Sequence, residues 1–399
     1  MRDYDVDVVV LGAGIIGLSC ACYLLRAGMR VAIVDRKVNS KHKRVDWGGL
    51  QQPQSSVSAL NQPSIRCLQE LGLWDRLHQH AAVTPFERMR LRTDLCDSEI
   101  DWQAAEFGFA NLGVIVKNSA LKISLWELLA EYPATLKIVE GQPEEYDQQT
   151  NVLKFADKQI HALLLLACDG ATSWARSSLG ITIEQDDYND QAWTGVLEHS
   201  LSHAMTVRQC FQKQAILGLL PSENTHQSVY VYSHAELDAP VESQRSPASM
   251  VADFYQQAFP ELGEMRVIGK LQQQPIFSMH ARQYAKGNVI LLGDAAMALH
   301  PMAGLGLNCG LQGVRVVVKN LAHQYNTGRL LSAEEAAKAY TESCRGYNAL
   351  TRQVLGQIRL QLPLQNGWAS WSAFYLFRLA QHSSWFALRC IEHALLGVE

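Results

Sequence analysis

The sequence predicts an α/β fold with a parallel-sheet domain at the N-terminus, an interleaved α+β domain and a helical C-terminal region. Three observations predict it: a strand–turn–helix–strand unit at the N-terminus, two later buried strands that end in acidic turns, and alternating strand patterns between them. The chain has 399 residues, 48% of them hydrophobic, and is long enough to bury two or three packed units.

The N-terminal unit contains every part of a nucleotide-binding βαβ motif. A buried strand at 8–11 runs directly into the glycine-rich turn 12–17, and residues 18–27 have the composition of a helix. A second strand at 31–34 ends at Asp35. Glycines at this spacing, followed by an acid at the end of the second strand, are typical of a Rossmann-like dinucleotide site.

Each residue type in this unit has a physical reason. Gly12 permits a tight turn, Gly14 lets the backbone approach a diphosphate, and Gly17 allows close packing of helix on strand. The helix N-terminus attracts the diphosphate, while Asp35 accepts hydrogen bonds from ribose and disfavours a 2′-phosphate. The motif alone does not choose between FAD and NAD. The predicted contacts of this unit are Gly12, Ala13, Gly14, Ile16, Gly17, Asp35 and Arg36.

Two later motifs favour a flavin. The buried strand 163–168 is followed by Asp169-Gly170, and strand 288–292 is followed by Gly293-Asp294. Asp294 at a strand end suits a ribityl hydroxyl of FAD. A helix beginning near Leu307 offers backbone donors to the flavin's pyrimidine edge, where negative charge gathers on reduction. The predicted contacts here are Asp169, Gly293, Asp294, Gly304, Gly306, Leu307 and Asn308.

Through these three ordered motifs the chain resembles the class A flavoprotein monooxygenases, the aromatic-hydroxylase superfamily. Within that superfamily it is most similar to the ubiquinone-biosynthesis hydroxylases, in segments 58–74, 112–118 and 300–308. The resemblance implies the Rossmann-like FAD-binding domain of those enzymes, with an interleaved substrate domain and no separate domain for NAD(P)H.

Several polar residues of that group are replaced here. Ser56 stands where the group has Arg, Lys122 where it has Gln, and Met297 where it has His or Gln. Leu305 and Gly313 replace a Gln and an Asp. Two interpretations stay open: a divergent but active hydroxylase, or a protein that binds FAD weakly and has lost oxygen chemistry. Lys122 is a predicted cofactor contact, because its ammonium can serve as a cation near a phosphate or the flavin edge. Unlike Arg, it has no planar guanidinium with which to form two parallel hydrogen bonds.

The resemblance also implies a reaction. It is hydroxylation of a polyprenylated phenol or benzoquinol in ubiquinone biosynthesis, using NAD(P)H and O₂ through a flavin C4a-hydroperoxide. His300 is either a hydrogen-bond partner of substrate or flavin, or a loop residue that orients Pro301, and both are expected to act by positioning only. Two other classes stay open: a flavin reductase or dehydrogenase, and a catalytically degenerate FAD-binding member that supports a biosynthetic complex. No metal site is predicted.

The motifs divide the chain into alternating parts. FAD-binding parts are predicted at 1–80, 111–185 and 281–330, substrate-domain parts at 81–110 and 186–280, and a helical C-terminal region at 331–399. Within the substrate domain, strands are predicted at 86–92, 215–221 and 229–233, and a short helix at 250–258.

The remaining features concern location and partners. A net charge of −4 argues against nucleic-acid binding and makes the basic run 41–44 a solvated loop. The N-terminus runs straight into a strand without a signal segment, and the nine scattered cysteines are interpreted as reduced, mostly buried thiols of a cytoplasmic protein. The aromatic tail from Asn366 is either a helical pair packed on protein or an amphipathic helix at the inner membrane.

Overall fold

The computed structural model describes residues 5–38, 47, 55–93, 98–212, 215–234, 247–299 and 304–361. These residues form three β-sheets and the helices around them, numbered below in chain order. The predicted α/β class is confirmed. The basic run 41–44, the residues His300 and Pro301, and the aromatic tail from Asn366 lie outside the described residues.

The first sheet is the parallel sheet that the N-terminal motif predicts. Its strands are β1 (Val6–Leu11), β2 (Val31–Asp35), β8 (Leu136–Glu140), β9 (Glu145–Asp147), β10 (Val152–Lys154), β11 (Gln159–Ala167), β17 (Ala285–Lys286) and β18 (Val289–Leu291). Their order is β17-β18-β11-β1-β2-β8, with the β9–β10 ribbon attached to β11. The pairings from β18 to β8 are all parallel.

The second sheet also has eight strands and is mostly antiparallel. Its strands are β5 (Arg88–Thr93), β6 (Ser98–Gln103), β12 (Ile183–His199), β13 (Thr206–Phe211), β14 (Ala215–Pro221), β15 (Gln227–His234), β16 (Met265–Ala281) and β19 (Met297–Ala298), in the order β19-β16-β12-β15-β14-β13-β5-β6. A small third sheet consists of β3 (Val57–Leu60), β4 (Val83–Phe86) and β7 (Gly113–Lys117).

The helices cover both sheets. They are α1 (Ile15–Arg26), α2 (Gln62–Glu70), α3 (Trp74–Gln79), α4 (Asn118–Leu129), α5 (Trp174–Ser178), α6 (Pro247–Ala258), α7 (Gly306–Asn326) and α8 (Ala333–Gln361). Helix α1 contacts α4, α7 and the first sheet, and this burial explains why it is apolar on most sides. Helix α6 covers one face of the second sheet with Val251 and Tyr255. None of the described helices is long and apolar enough to cross a bilayer.

Most of the predicted elements are confirmed. The strand predicted at 215–221 is β14, and 229–233 lies within β15. The helix predicted at 250–258 begins earlier, at Pro247, and the helix predicted from Leu307 begins one residue before it. The cysteines among the described residues are free and buried, as expected of reduced thiols. The residue bounds of the predicted domain parts remain predictions.

The register of the first sheet brings the three predicted motifs to one edge. Leu11 at the end of β1 is paired with Ala167 of β11, and Ala167 is paired with Leu291 of β18. On the other side, Leu11 is paired with Val34 of β2. The carboxyl ends of parallel strands meet at the same edge, which is where α/β folds bind ligands. The glycine turn and both acidic turns therefore begin side by side.

Helices α7 and α8 approach each other closely at a glycine. A Cβ atom on Gly313 would lie 2.7 Å from Cε2 of Tyr340, whose side chain is fully buried. The Tyr340 ring also stacks on Tyr284, with 4.8 Å between centroids. Gly313, one of the replaced family positions, therefore has a packing reason, since a larger residue would displace the Tyr340 ring.

We expect Gly313→Ala to lower the free energy of unfolding by about 1–3 kcal/mol, the usual cost of overpacking a filled core. The matched control is Gly346→Ala in α8, where a Cβ atom would meet nothing within 4 Å. That change should raise the free energy of unfolding by up to ~1 kcal/mol through helix propensity. Urea denaturation followed by circular dichroism measures both, and a Gly313→Ala variant as stable as the parent would contradict this packing.

Candidate functional site

The glycine turn after β1 contains two glycines required by packing and one that leaves open space. Gly12 has a φ of +105°, and a Cβ atom there would lie 2.3 Å from the Cys168 carbonyl oxygen. A Cβ atom on Gly17 would lie 1.9 Å from the Gly12 carbonyl oxygen. Gly14 differs, because a Cβ atom there would meet nothing within 4 Å. The space beside Gly14 is therefore available to a ligand.

The start of α1 is suited to bind an anion in this space. Gly14 is the N-cap of the helix and offers no side-chain cap, and the first turn contains no acidic residue. The first N–H groups of a helix lack partners within it, and the helix dipole adds partial positive charge. A diphosphate lying against Gly14 would satisfy both.

The Asp35 carboxylate is fixed at the end of β2 by two backbone donors. The Ala13 N–H donates to Oδ2 at 2.8 Å, and the Lys37 N–H donates to Oδ1 at 3.0 Å. Each oxygen keeps a further acceptor position, so the oriented carboxylate can still bind ribose hydroxyls. Arg36, the neighbouring predicted contact, is exposed.

The second motif is connected to the third by Arg176, which the sequence analysis missed. Its buried guanidinium donates to the Ala171 carbonyl at 2.7 Å and to the Ala295 carbonyl at 3.0 Å. Burial lowers the pKa of Arg176, and the charge of Asp169 opposes that shift. The only signal for Arg176 in the sequence is that it is the first charged residue after Asp169. Arg176 thus holds the two acidic turns at a fixed separation.

Asp169 and Asp294 both present carboxylate oxygens that have no partner among the described residues. Asp169 accepts the Ala175 N–H through Oδ2 at 3.1 Å, while its Oδ1 is buried and unbonded among the described residues. Asp294 lines a cavity and is accessible from it, although surrounding protein raises its pKa by burial. An unbonded carboxylate oxygen destabilises the folded protein unless a ligand donates a hydrogen bond to it. The ribityl hydroxyls of FAD can donate such a bond to Asp294.

Ile16 holds the glycine turn against the third motif. A Cβ atom on Gly293 would lie 3.1 Å from Ile16 Cγ1, and one on Gly310 would lie 2.6 Å from Ile16 Cδ1. The Ile16 side chain therefore fills the space that these two glycines leave. The predicted cofactor contact at Ile16 also has a packing role, because the side chain sets how closely β1, β18 and α7 approach.

The N-terminus of α7 faces the same cavity. Gly304 has a φ of +60°, Leu305 is an N-cap without a side-chain bond, and the cavity is lined from Gly304 to Leu307. The Asn308 side chain is fully used by the protein: it donates to the carbonyls of Ala59 and Gly304 and accepts the Asn61 N–H at 3.0 Å. Asn308 can therefore offer a ligand its backbone N–H, and its amide fixes the loop in front of the helix.

Lys122 lies on the wall of the cavity next to the replaced position Ser56. Asn118, one helical turn before Lys122, donates to Ser56 Oγ at 3.2 Å and accepts from Ser58 Oγ at 2.8 Å. Residues four apart share a helix face, so Lys122 lies on the side of α4 that meets β3. Its exposed ammonium has no bonding partner among the described residues. It is available to an anionic ligand.

One cavity of about 850 Å³ is bordered by seven of the predicted cofactor contacts, whereas Asp35 and Asp169 do not line it. The seven are Gly14, Ile16, Lys122, Asp294, Gly304, Gly306 and Leu307. Gly14, Asp294, Lys122 and the start of α7 line one side of it. The opposite side is the face of the second sheet that α6 does not cover, which we call the sheet wall. Its apolar members are Met89, Leu91, Val207, Phe211, Ile216, Leu220, Val229 and Val231. These seven predicted cofactor contacts thus border the same space as a broad apolar surface.

We expect Asp294→Asn to separate stability from FAD affinity. Because burial raises the pKa of Asp294 above its ordinary value of 3.8, the ionised form destabilises the folded protein at neutral pH. The FAD-free variant should therefore melt at a higher temperature than the parent at pH 7, and the difference should vanish as the pH falls below 3.8. FAD should bind roughly tenfold more weakly, since a hydrogen bond to a charged group is lost. Thermal melts across pH and FAD titration test both, and an unchanged FAD affinity would remove Asp294 from the site.

Comparison with known proteins agrees with this geometry. Residues 5–347 match the family described as FAD binding domain. Ubiquinone hydroxylase UbiM of Neisseria meningitidis is 24% identical over 342 residues, covering 84% of this chain and 72% of the relative. The 3-demethoxyubiquinol 3-hydroxylase of Escherichia coli is 23% identical over 374 residues, covering 92% and 89%.

Solved structures share the fold. One is PqsL, a probable FAD-dependent monooxygenase from Pseudomonas aeruginosa, with a TM-score of 0.75 and 17% identity over 93% of this chain and 99% of that one. Another is p-nitrophenol 4-monooxygenase PnpA from Pseudomonas putida, with a TM-score of 0.74 and 18% identity over 97% and 98%.

Proposed function

The chain belongs to the FAD binding domain family, and on that premise we propose that it is an FAD-dependent monooxygenase that hydroxylates a polyprenylated phenol or benzoquinol in ubiquinone biosynthesis. NAD(P)H and O₂ are the co-substrates. One observation carries the proposal: a single cavity joins the predicted contacts for the diphosphate, the ribityl chain and the flavin edge to the apolar sheet wall. Several relatives with similar sequences are hydroxylases of ubiquinone biosynthesis, which supports this substrate class.

The residues present fit the parts of FAD. Asp35 would bind the adenosine ribose, and Gly14 with the start of α1 would bind the diphosphate. Asp294 would accept from a ribityl hydroxyl, and the N–H groups at 306–308 would face the flavin edge. FAD supplies the redox chemistry: NAD(P)H is oxidised, one atom of O₂ enters the ring as a hydroxyl, and the other leaves as water. The protein positions the ring and keeps water away.

The sheet wall suits this task because of its composition. Val207, Ile216 and Val229 are buried apolar residues that border the cavity. They exclude water from the space in which oxygen is transferred, and they match an aromatic ring with a prenyl chain. His300 and Pro301 remain predicted positioning residues outside the described part of the chain.

Two of the replaced family positions are filled by packing, and the relatives that are hydroxylases favour an active enzyme over a degenerate one. Met297 is buried and packs in an apolar cluster with Cys309 and Leu305, and Gly313 accommodates Tyr340. At both positions neighbouring side chains fill the space, so the loss of the family's polar side chains leaves no cavity there. Peripheral contact with the inner membrane through the tail, or membership of a biosynthetic complex, belongs to the same proposal and concerns residues outside those described.

Oxygen labelling tests the proposed reaction. The FAD-loaded protein, given NAD(P)H, ¹⁸O₂ and a phenol with a short prenyl chain, should form a product that contains one ¹⁸O atom on the ring. The matched control substrate is the corresponding methyl ether, whose blocked oxygen activates the ring less, and it should react far more slowly. NAD(P)H oxidation that yields only H₂O₂ with every phenol would favour a flavin reductase. A protein that binds no FAD would refute the proposal outright.

Removing the positive charge of Lys122, and then returning one at Ser56, tests the role of Lys122. We expect Lys122→Gln to weaken FAD binding roughly tenfold, since the ammonium is a charged partner for the diphosphate or flavin edge. Adding Ser56→Arg, just before β3, should restore most of the affinity, because Ser56 contacts Asn118 and lines the same cavity as Lys122. Lys154→Gln, at an exposed ion pair with Glu145, is the charge-matched control and should change nothing. Equal FAD affinity in Lys122→Gln and the parent would contradict this role.

A further inference from the structure

Lys117 joins the two sides of the cavity through an ion pair. It is the last residue of β7, and its Nζ donates to Oε1 of Glu223 in the turn between β14 and β15. The Lys117 side chain is only 10% exposed, whereas that of Glu223 is 40% exposed. Lysine is seldom buried to this extent unless a charge is paired with it. The pair therefore differs from a fully exposed one, which contributes little to holding two elements together.

The Lys117 end of the pair is fixed to the side of the cavity opposite the sheet wall, which we call the cofactor side. Lys117 is paired with Val57 of β3, and its neighbour Asn118 donates its N–H to the Ser56 carbonyl at 3.1 Å. Ser56, Val57 and Asn118 all line the cavity, as does Lys122 one turn further along α4. A movement of Lys117 would therefore move the part of the cofactor side that carries Lys122.

The Glu223 end is fixed to the sheet wall by a buried histidine. His203 is fully buried, and its Nδ1 accepts the Met205 N–H at 3.1 Å. Its Nε2 therefore carries the proton and donates to the carbonyl of Ser222, the residue before Glu223, at 3.0 Å. The turn that carries Glu223 is thus held against the end of the second sheet, between two strands of the sheet wall.

Apolar packing joins the two sides over only part of their contact. Ile115 of β7 and Val207 of β13 belong to one apolar cluster. A void of about 20 Å³ is bordered by Ile115, by Val57 and Val229, and by both members of the ion pair. A void of this size holds about one water molecule, so side-chain packing does not fix the separation of the two sides there. The ion pair spans the same gap and supplies a directed contact.

We propose that Lys117 is a positioning residue, whose ion pair with Glu223 fixes the separation between the cofactor side and the sheet wall. The inference rests on the proposed function, in which the flavin lies against one side and the substrate ring against the other. A misplacement of about 1 Å between reacting groups can cost a large part of a rate. O₂ that takes two electrons from NAD(P)H and two protons, without giving an atom to the ring, leaves as H₂O₂. Loss of the pair should therefore raise the yield of H₂O₂.

Lys117→Met tests this role, because it keeps the apolar stem and removes the ammonium. Glu223 is left where water reaches it, so the variant should fold. In the FAD-free protein, amide exchange should quicken at both 113–118 and 222–228, by roughly tenfold for one lost hydrogen bond to a charged group. In the FAD-loaded protein with the prenylated phenol, the H₂O₂ released per NAD(P)H oxidised should rise about twofold or more. The kcat of hydroxylation should fall while KM stays near that of the parent.

Three further variants separate positioning from general stability. Lys117→Arg keeps the charge, and the void beside it can accept the added atoms, so exchange and H₂O₂ yield should match the parent. Asp7→Asn is the matched control, because buried Asp7 pairs with the more exposed Arg30 at 2.8 Å, at the end of β1 farther from the glycine turn. It should lower the melting temperature without changing the H₂O₂ yield. Adding Glu223→Gln to Lys117→Met should cause no further change, since both residues act through one contact.

The outcomes distinguish this inference from the proposed function. Unchanged exchange and H₂O₂ yield in Lys117→Met would refute the positioning role, while a parent that hydroxylates the phenol would still support the proposed function. An equal rise of H₂O₂ in Asp7→Asn would also refute the role, because a general loss of stability would then explain both. If the parent hydroxylates no phenol, the proposed function falls and exchange alone decides: faster exchange in both segments supports the fixed separation, and unchanged exchange refutes it.

Discussion

The parallel register of β18, β11, β1 and β2 is the constraint on which the rest of this site depends. It ends four strands at one edge, so that turns more than a hundred residues apart in sequence emerge next to each other. Ile16 and Arg176 then fix their separation, one by filling space and the other by bonding two carbonyls. A slip of this register would separate the diphosphate position from Asp294. No local change could restore the site.

The two carboxylates at this edge differ in how the protein holds them. Asp35 is oriented by backbone donors, whereas Asp294 has no hydrogen-bond partner among the described residues. Burial raises the pKa of Asp294, so its ionised form costs stability that a ligand donor can restore. Stability and binding are therefore opposed there. The glycines show the same division, because Gly12 and Gly17 are needed for packing while Gly14 leaves space.

Local sequence patterns predicted the parts of the fold but not the contacts between them. The βαβ unit, both acidic turns and α7 could be predicted because each depends on neighbouring residues and on strand or helix periodicity. The bond of Arg176 to Ala295 and the contact of Gly313 with Tyr340 could not, since they join segments distant in sequence.

The central claim is that the glycine turn, Asp294 and the start of α7 form one site that recognises a flavin and not merely an adenine nucleotide. Amide hydrogen exchange of the protein with ADP and with FAD tests it most directly. We expect both ligands to slow exchange at 12–17, and only FAD to slow it also at 293–295 and 304–308. If ADP reproduced the whole pattern, or if FAD protected the first segment alone, the account of a single flavin site would be wrong.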